Sequence, residues 1–419
     1  MSNVPGRPPV VADIVEEHFD DADFLWEHRE DNIYTDDWSL HDLAQHEARA
    51  HAHLDGLRLA ELSGTDLVRE RLASGEFGAA MVATFVLADA HGMPWAQGDE
   101  VSVLAMAMRQ ADAAVVDGVR RALRHRPTLL DGLSTTLQEL VLDEDPVRAA
   151  CASDVLAFWR QKVDPRGVAR LLESEVVIAR TLGLATAQRT GALTANQLRA
   201  AIADAEPAVR AAAMHAGMAL AIAELPAIVR DAALRNTDPD PVAVYAMGVL
   251  GQPQSEADLR SLLPRKDVRI AAVTAMGALG SVDAVGLLID LMSDEDLGVH
   301  ATAAYKRMTG ATDVEGHKPL VAAAADDEGE EGEALPPDAD KAQADWERRQ
   351  KVMVSGPCYQ CGVPIDGTLP APFDHLPLSV RRDLWLRLRA QKAAVPMLEL
   401  EALASQQRSP SQQRAQGAV

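Results

Sequence analysis

Valines recur along the chain, each just after a short turn that contains an acidic residue or a proline. Between them, a segment with leucines at helical spacing alternates with a segment rich in alanine. The intervals between the valines are 30, 32, 33, 26 and 31 residues. A period of this size is typical of repeats built from paired helices. The recurring valines are Val147, Val177, Val209, Val242, Val268 and Val299.

Short identical motifs support this period. The hexapeptide AMGVLG begins at residue 246 and AMGALG begins at residue 275, 29 residues later. Two leucines, Leu259 and Leu262, recur at the same interval as Leu288 and Leu291. Composition alone does not produce such a match, so the segment is predicted to be a repeat array.

Each repeat is predicted to be a pair of antiparallel helices. Asp145 can cap the second helix of its repeat, and Pro146 fits the first turn without losing a hydrogen bond. Gly251 and Gly280 can end two of these helices in the left-handed conformation. Alanine-rich helices can approach one another closely. Because one pair cannot bury its apolar face alone, the repeats must stack, and the predicted fold is an all-α solenoid.

The pattern Asp-x-x-Val-Arg followed by Ala-Ala-x-x-Ala-Leu-Gly resembles the HEAT repeat in its short bacterial form. The resemblance extends over residues 64–312. It implies that Arg148, Arg210 and Arg269 bond the turns of adjacent repeats. The series is interrupted in two repeats that lack the arginine.

Residues 1–62 differ from the repeats. They are predicted to form two helices joined near residues 36–39, with Ser39 as the N-cap of the second. The segments EEHFDDADFLWEHR, DLAQHEAR and AHLDGLRLA resemble the amino-terminal signature of a family of proteobacterial HEAT-repeat proteins of unknown function. Some members of that family are encoded near type VI secretion loci. The resemblance therefore implies a role accessory to secretion.

Changes in composition divide the chain further. The stretch around residues 322–345 is acidic, contains glycine and proline, and lacks periodicity, which is typical of an extended linker. A small module that ends in one or two amphipathic helices follows it, then a polar tail. The predicted organisation is an N-terminal helical region (1–62), HEAT-like repeats (63–312), an acidic flexible linker (313–345), a C-terminal helical module (346–404) and a disordered tail (405–419).

The formal charge of −23 argues against nucleic acid as a partner, because a phosphate backbone requires clustered lysines and arginines. Three cysteines suit a reducing compartment. The sequence contains no apolar stretch of signal-peptide or membrane-span length. We therefore expect a cytoplasmic protein without membrane insertion. No glycine loop for phosphates and no nucleophile elbow is present, so no cofactor is predicted.

Two candidate sites for chemistry remain in the N-terminal and C-terminal regions. On the second predicted helix, Glu47 and His51 share a stripe with leucines and an arginine. They could hold a metal or act as a buried acid and base. The interpretation we favour is an ion pair at the edge of a helical packing face.

The second candidate is the motif CYQCG, with Cys358 and Cys361. It is half of a zinc site, and a closed structural site needs four ligands. His375 and its neighbour Asp374 are the nearby candidates to complete it. A redox dithiol is the second alternative, and a loop that binds no metal is the interpretation we favour.

Two classes of function follow. The leading hypothesis is a non-enzymatic scaffold or adaptor that binds another protein, such as a secretion component or effector. The alternative is a helical-repeat enzyme, of a lyase or hydroxylase-like kind, that acts on a protein or a bound cofactor. For the scaffold, acidic residues in the repeat turns are the candidates for partner binding, unless they only cap helices and confer solubility. They are Asp143, Asp145, Asp238, Asp240, Asp294, Glu295 and Asp296.

Overall fold

The computed structural model describes residues 10–127, 130–316 and 336–407. The prediction of an all-α, HEAT-like solenoid is confirmed, because 65% of the described residues are helical and they form 21 helices. In the part of the chain that the structure describes, the named strands are the two of one antiparallel hairpin, β1 (Cys358–Gln360) and β2 (Val363–Ile365). Most of the predicted linker, residues 317–335, lies outside the described residues.

The helices are numbered in chain order. Short 3-10 turns at Val282–Ala284 and Phe373–His375 supplement them. The helices are α1 (Ala12–Asn32), α2 (Leu40–Leu59), α3 (Leu62–Leu72), α4 (Phe77–Ala90), α5 (Glu100–Ala107), α6 (Ala113–Arg124), α7 (Leu130–Leu140), α8 (Pro146–Phe158), α9 (Pro165–Leu172), α10 (Val177–Thr190), α11 (Ala195–Ile202), α12 (Pro207–Ala219), α13 (Leu225–Ala233), α14 (Pro241–Leu250), α15 (Ser255–Leu262), α16 (Arg269–Leu279), α17 (Val285–Leu291), α18 (Gly298–Thr309), α19 (Ala339–Arg349), α20 (Leu378–Ala390) and α21 (Ala404–Gln407).

The chain forms two compact units. Unit 1 comprises the described residues up to Gln197, together with Pro377–Ser379 and the described residues from Met397 onward. Unit 2 comprises residues 198–376, where described, and residues 380–396. Each unit therefore contains repeat helices and a part of the C-terminal region.

The alanine-rich helices pack against one another within each unit. In unit 1, α4 packs against α6, α6 against α8, and α8 against α10. In unit 2, α12, α14, α16 and α18 form the equivalent series. Glycines permit the closest approaches: a Cβ at Gly248 of α14 would lie 2.3 Å from the carbonyl oxygen of Ala275 in α16. Small side chains thus set the helix spacing.

The local signals that predicted helix ends have the expected geometry. The Asp145 carboxylate accepts from the amide of Val147 at 2.8 Å and caps α8, whose first residue is Pro146. Gly251 and Gly280 end α14 and α16 in the left-handed conformation, with φ of 60° and 74°. These short-range features follow from residue type alone.

The N-terminal region contains the predicted pair α1 and α2, which pack against each other. Ser39 and Asp42 form a reciprocal capping box at the start of α2, so the prediction of Ser39 as an N-cap is confirmed. At the other end of the repeats, α19 begins at Ala339, inside the segment predicted as linker, and Asp338 caps it. In the three described ranges, no helix has both the length and the apolar character needed to cross a bilayer.

Candidate functional site

Repeat arginines join neighbouring turns, as the resemblance to HEAT repeats implied. In unit 2, the guanidinium of Arg210 donates to Asp240 of the next repeat at 2.9 and 3.1 Å. Arg269 makes the equivalent bond to Asp296. In unit 1, Arg148 donates to Asp143 in its own turn at 2.8 Å and to the carbonyl of Arg109 in the preceding turn at 3.5 Å. The repeat arginines therefore stabilise the turns in both units, but they pair with different carboxylates.

The turns of unit 2 lie side by side along an edge. Arg265 reaches back to the carbonyl of Arg235 in the preceding turn, while Arg269 reaches forward to the following one. The edge therefore carries positive charges between its carboxylates. Asp238 and Glu295 are exposed there, and in the described residues no hydrogen bond or ion pair engages either side chain.

The other five candidate acids make structural bonds. Asp145 and Asp240 are N-caps, and Asp294 accepts from the amides of Asp296 and Leu297 at 2.9 and 3.0 Å. Burial would raise the pKa of Asp143, but the bond from Arg148 and the amide of Asp145 hold it below its usual value. These carboxylates are committed to the turns. Asp238 and Glu295 are the two candidate acids whose side chains make no such bond in the described residues.

Glu47 is buried in unit 1 and both of its oxygens are bonded. One accepts from Nε of Arg29 at 2.8 Å, and the other accepts from the amide of Ala404 at 2.8 Å. Burial dominates over Arg29 and raises the pKa of Glu47. The sequence favoured an ion pair among the residues of this stripe of α2; the pair that Glu47 forms is instead a buried one with Arg29 of α1.

His51 lies one turn further along α2 and contacts aromatic rings. Its ring centroid is 5.4 Å from that of Trp26 and 6.4 Å from that of Phe85. Burial, followed by the nearby Arg126 and Arg58, lowers its pKa to about 4. The imidazole is therefore neutral near neutral pH, and its main role is packing.

Cys358 is the first residue of β1, and Cys361 lies in the turn between β1 and β2. Sγ of Cys358 accepts from Arg387 at 3.8 Å, and the amide of Cys361 donates to the carbonyl of Arg307 at 2.7 Å. His375 is exposed. Across the described residues, no three His, Cys, Asp or Glu side chains converge as a metal site would require. The assignment of CYQCG to a loop that binds no metal stays a prediction.

The hairpin instead caps helix α16. The last carbonyls of an α-helix have no partner within the helix. Here Nε2 of Gln360 donates to the carbonyls of Gly277 and Ala278 at 2.8 and 3.0 Å. Arg387 donates to the carbonyl of Leu279 at 3.0 Å. The amide of Tyr359 donates to the carbonyl of Gly280 at 2.8 Å. Four consecutive carbonyls are thereby satisfied by the C-terminal region.

A cluster of buried arginines in unit 1 was not found from the sequence. Arg124 of α6 and Arg189 of α10 have only 3% and 6% of their side chains exposed. One oxygen of Glu401 accepts from both of them, and the other accepts from the hydroxyl of Tyr34 at 2.7 Å. Glu399 accepts two bonds from Arg189, at 2.9 and 3.0 Å. The available signal was LELEALA, which places two glutamates two positions apart among small and apolar residues.

Asp154 of α8 lies beneath this cluster and is fully buried. It pairs with Arg120 and Arg189, and Arg124 lies 3.8 Å away. Burial would raise the pKa of Asp154, but the arginines outweigh it and lower that pKa. The cluster therefore holds charges of both signs out of water, and each one depends on its partners.

Comparison with known proteins agrees with this architecture. Residues 268–294, from the start of α16 to the end of α17, match the family model described as PBS lyase HEAT-like repeat. The chain carries HEAT-like repeats. No curated protein matches it. The X-ray structure of YibA from E. coli is 12% identical and aligns over 66% of this chain and 99% of that one, with a TM-score of 0.37. A likeness this low carries no argument about function.

Proposed function

We propose that the protein is a non-enzymatic scaffold that binds another protein through its HEAT-like repeats. HEAT-like repeats generally mediate protein interactions. The observation that carries the proposal is that repeat helices in each unit bind polypeptide. In unit 1, Arg124 of α6 and Arg189 of α10 bond the side chains of Glu399 and Glu401, while Arg29 and Glu47 of the N-terminal helices hold the backbone of this segment. In unit 2, the hairpin is bonded to the end of α16.

The surface proposed for a partner is the turn edge of unit 2. Asp238 and Glu295 are exposed on it and have no structural bond to lose. Asp240, by contrast, both caps α14 and pairs with Arg210. Charge complementarity at such an edge governs partner choice and association rate more than affinity. A partner with a basic patch fits these two carboxylates.

The finer proposal is an adaptor for a component or effector of a type VI secretion system. Its support is the resemblance of residues 1–62 to proteins encoded near such loci. The enzyme alternative would use Glu47 and His51. Because both oxygens of Glu47 are bonded and His51 packs against aromatic rings, the geometry favours the scaffold.

The test is affinity capture with full-length protein on a solid support, using lysate of the native host and quantitative mass spectrometry. The double variant Asp238→Lys and Glu295→Lys is compared with the wild type. The matched control reverses two exposed turn acids elsewhere, Glu144→Lys and Glu175→Lys in unit 1. We expect a partner that the wild type and the control retain and the double variant loses.

Binding should also weaken as salt rises above about 0.15 M, where charges are screened within ~8 Å. Retention of the same partners by all three proteins would contradict the proposed surface. A defined turnover by the purified protein, abolished in Glu47→Gln, would support the enzyme instead. Recovery of secretion components among the specific partners is the result expected for the finer proposal.

A further inference from the structure

The segment in the arginine cluster of unit 1 is held largely through groups that any peptide offers. Nη2 of Arg29 donates to the carbonyls of Glu401 and Ala402, both at 3.2 Å. Glu47 accepts from the amide of Ala404 at 2.8 Å. Arg29 and Glu47 therefore bind the main chain of the segment. The sequence of the segment is recognised through a few of its side chains.

Two of those side chains are the glutamates. Glu399 and Glu401 both bond Arg189, and Glu401 also bonds Arg124 and Tyr34. Paired, charge-assisted bonds from guanidinium to carboxylate are strong and directional. Burial alone would raise the pKa of Glu401, but Arg124 and Arg189 outweigh it and hold that pKa well below its usual value. The pocket thus selects a carboxylate at each of these two positions.

The small residues that follow are selected by space. Ala402 has 4% of its surface exposed, and Ala404 has none. Ala404 belongs to an apolar cluster with Ile33, Leu40 and Leu43. Larger side chains at this position would overpack the cluster. The pocket therefore fits a pair of acidic residues two positions apart, followed by small apolar ones.

An empty pocket would be unfavourable. Without the two glutamates, Arg189 would keep Asp154, which it shares with Arg120, and Arg124 would lie 3.8 Å from that same carboxylate. Buried cations with too few counter-charges are costly, so the pocket favours any acidic segment that can enter it. An acidic peptide supplies the missing charge and the backbone groups together.

We infer that this pocket is a binding site for an acidic segment of a partner protein, and that residues 399–404 occupy it as an internal substitute which the partner displaces. The inference rests on the proposed scaffold function and gives the chemistry of a second binding site, in unit 1, besides the turn edge of unit 2. The segment carried by the chain has a high effective concentration, so an external peptide binds only the fraction of molecules in which the pocket is vacant.

The test uses a fluorescently labelled peptide with the sequence of residues 396–407, PMLELEALASQQ, and the full chain. In the host variant, Glu399→Gln and Glu401→Gln weaken the internal segment. Fluorescence anisotropy should show binding to this variant about tenfold or more tighter than to the wild type. A peptide with glutamine at both glutamate positions should bind at least about tenfold more weakly. Adding Arg189→Gln to the host variant should abolish binding.

Folding is checked by circular dichroism and thermal melting. Loss of three ion pairs lowers the melting temperature of the host variant, and the acidic peptide should raise it again, because a ligand stabilises the state it binds. The glutamine peptide should not. If the double variant does not fold, the single variant Glu401→Gln, which keeps Glu399 on Arg189, replaces it.

Failure of the acidic peptide to bind a folded host variant, or equal binding of both peptides, would overturn the inference. The partner captured through Asp238 and Glu295 distinguishes failure of this inference from failure of the proposed function. If that partner is retained by a chain carrying Arg189→Gln while the acidic peptide fails to bind the folded Glu399→Gln, Glu401→Gln host, the scaffold stands and the pocket is structural.

Discussion

The substitution Gly248→Ala tests the close packing of the alanine-rich helices. A methyl group at this position of α14 would lie 2.3 Å from the carbonyl oxygen of Ala275 and 2.9 Å from its Cα. These are backbone atoms of α16, so no side-chain rotation relieves the contact. Restoring an ordinary separation requires the two helices to move apart by about 1 Å, which weakens the dispersion contacts along the interface.

Overpacking of this kind costs about 1–3 kcal/mol, while replacing glycine within a helix returns about 0.5–1 kcal/mol. We therefore expect Gly248→Ala to lower the free energy of unfolding by about 1–2 kcal/mol. The matched control is Gly286→Ala in α17, where a Cβ would meet no atom within 4 Å. It should leave stability unchanged or raise it by up to about 1 kcal/mol.

Urea unfolding of the full chain, followed by far-ultraviolet circular dichroism, measures both variants. Hydrogen exchange of the amides in α14 and α16 locates the effect, because coupling in a repeat array acts mainly between neighbours. A Gly248→Ala protein as stable as the wild type would refute the reasoning. So would equal losses in the two variants, which would indicate a general response to lost glycine.

Three further predictions follow from buried groups. Ala272→Leu, at a fully buried position of α16, should cost about 1–3 kcal/mol, whereas Ile270→Leu, 43% exposed, should be near neutral in the same urea unfolding. Gln360→Ala leaves two carbonyls of α16 unpaired and should lower stability by about 1–3 kcal/mol, with the exposed Gln350→Ala unchanged. Burial, then Glu27, raises the pKa of Asp23 to about 6. A raised folded-state pKa contributes stability below about pH 4 that is lost as the pH rises through 6. Asp23→Asn should therefore raise the melting temperature near pH 7 and change it little near pH 4; a pH-independent effect would count against this origin.

The local architecture could be predicted from the sequence. Turn acids, prolines and glycines act on atoms a few residues away, so the caps at Asp145 and Ser39 and the helix ends at Gly251 and Gly280 follow from residue type. The repeat period follows too, because an amphipathic helix pair must stack to bury its apolar face. These rules fix the fold class and the order of its elements.

The pairing of charges could not be predicted in the same way. Arg124 and Glu401 are 277 residues apart, and Glu47 meets the amide of Ala404 across 357. The acids suggested by the sequence divide into structural caps and exposed residues only when their neighbours are known. Likewise, CYQCG looks like half of a metal site, yet its hairpin satisfies the last carbonyls of α16.

There is a physical reason why helix ends could be predicted from the sequence and charge pairing could not. Helix caps and helical periodicity depend on interactions within a few residues along the chain, which are encoded locally. Burial of a charge depends on what the folded chain brings against it, and a single arginine in an alanine-rich helix is equally compatible with solvent or with a pocket. The sequence thus determined a helical-repeat protein with acidic turns, while only the tertiary structure decided that Arg124 and Arg189 are buried around an acidic segment.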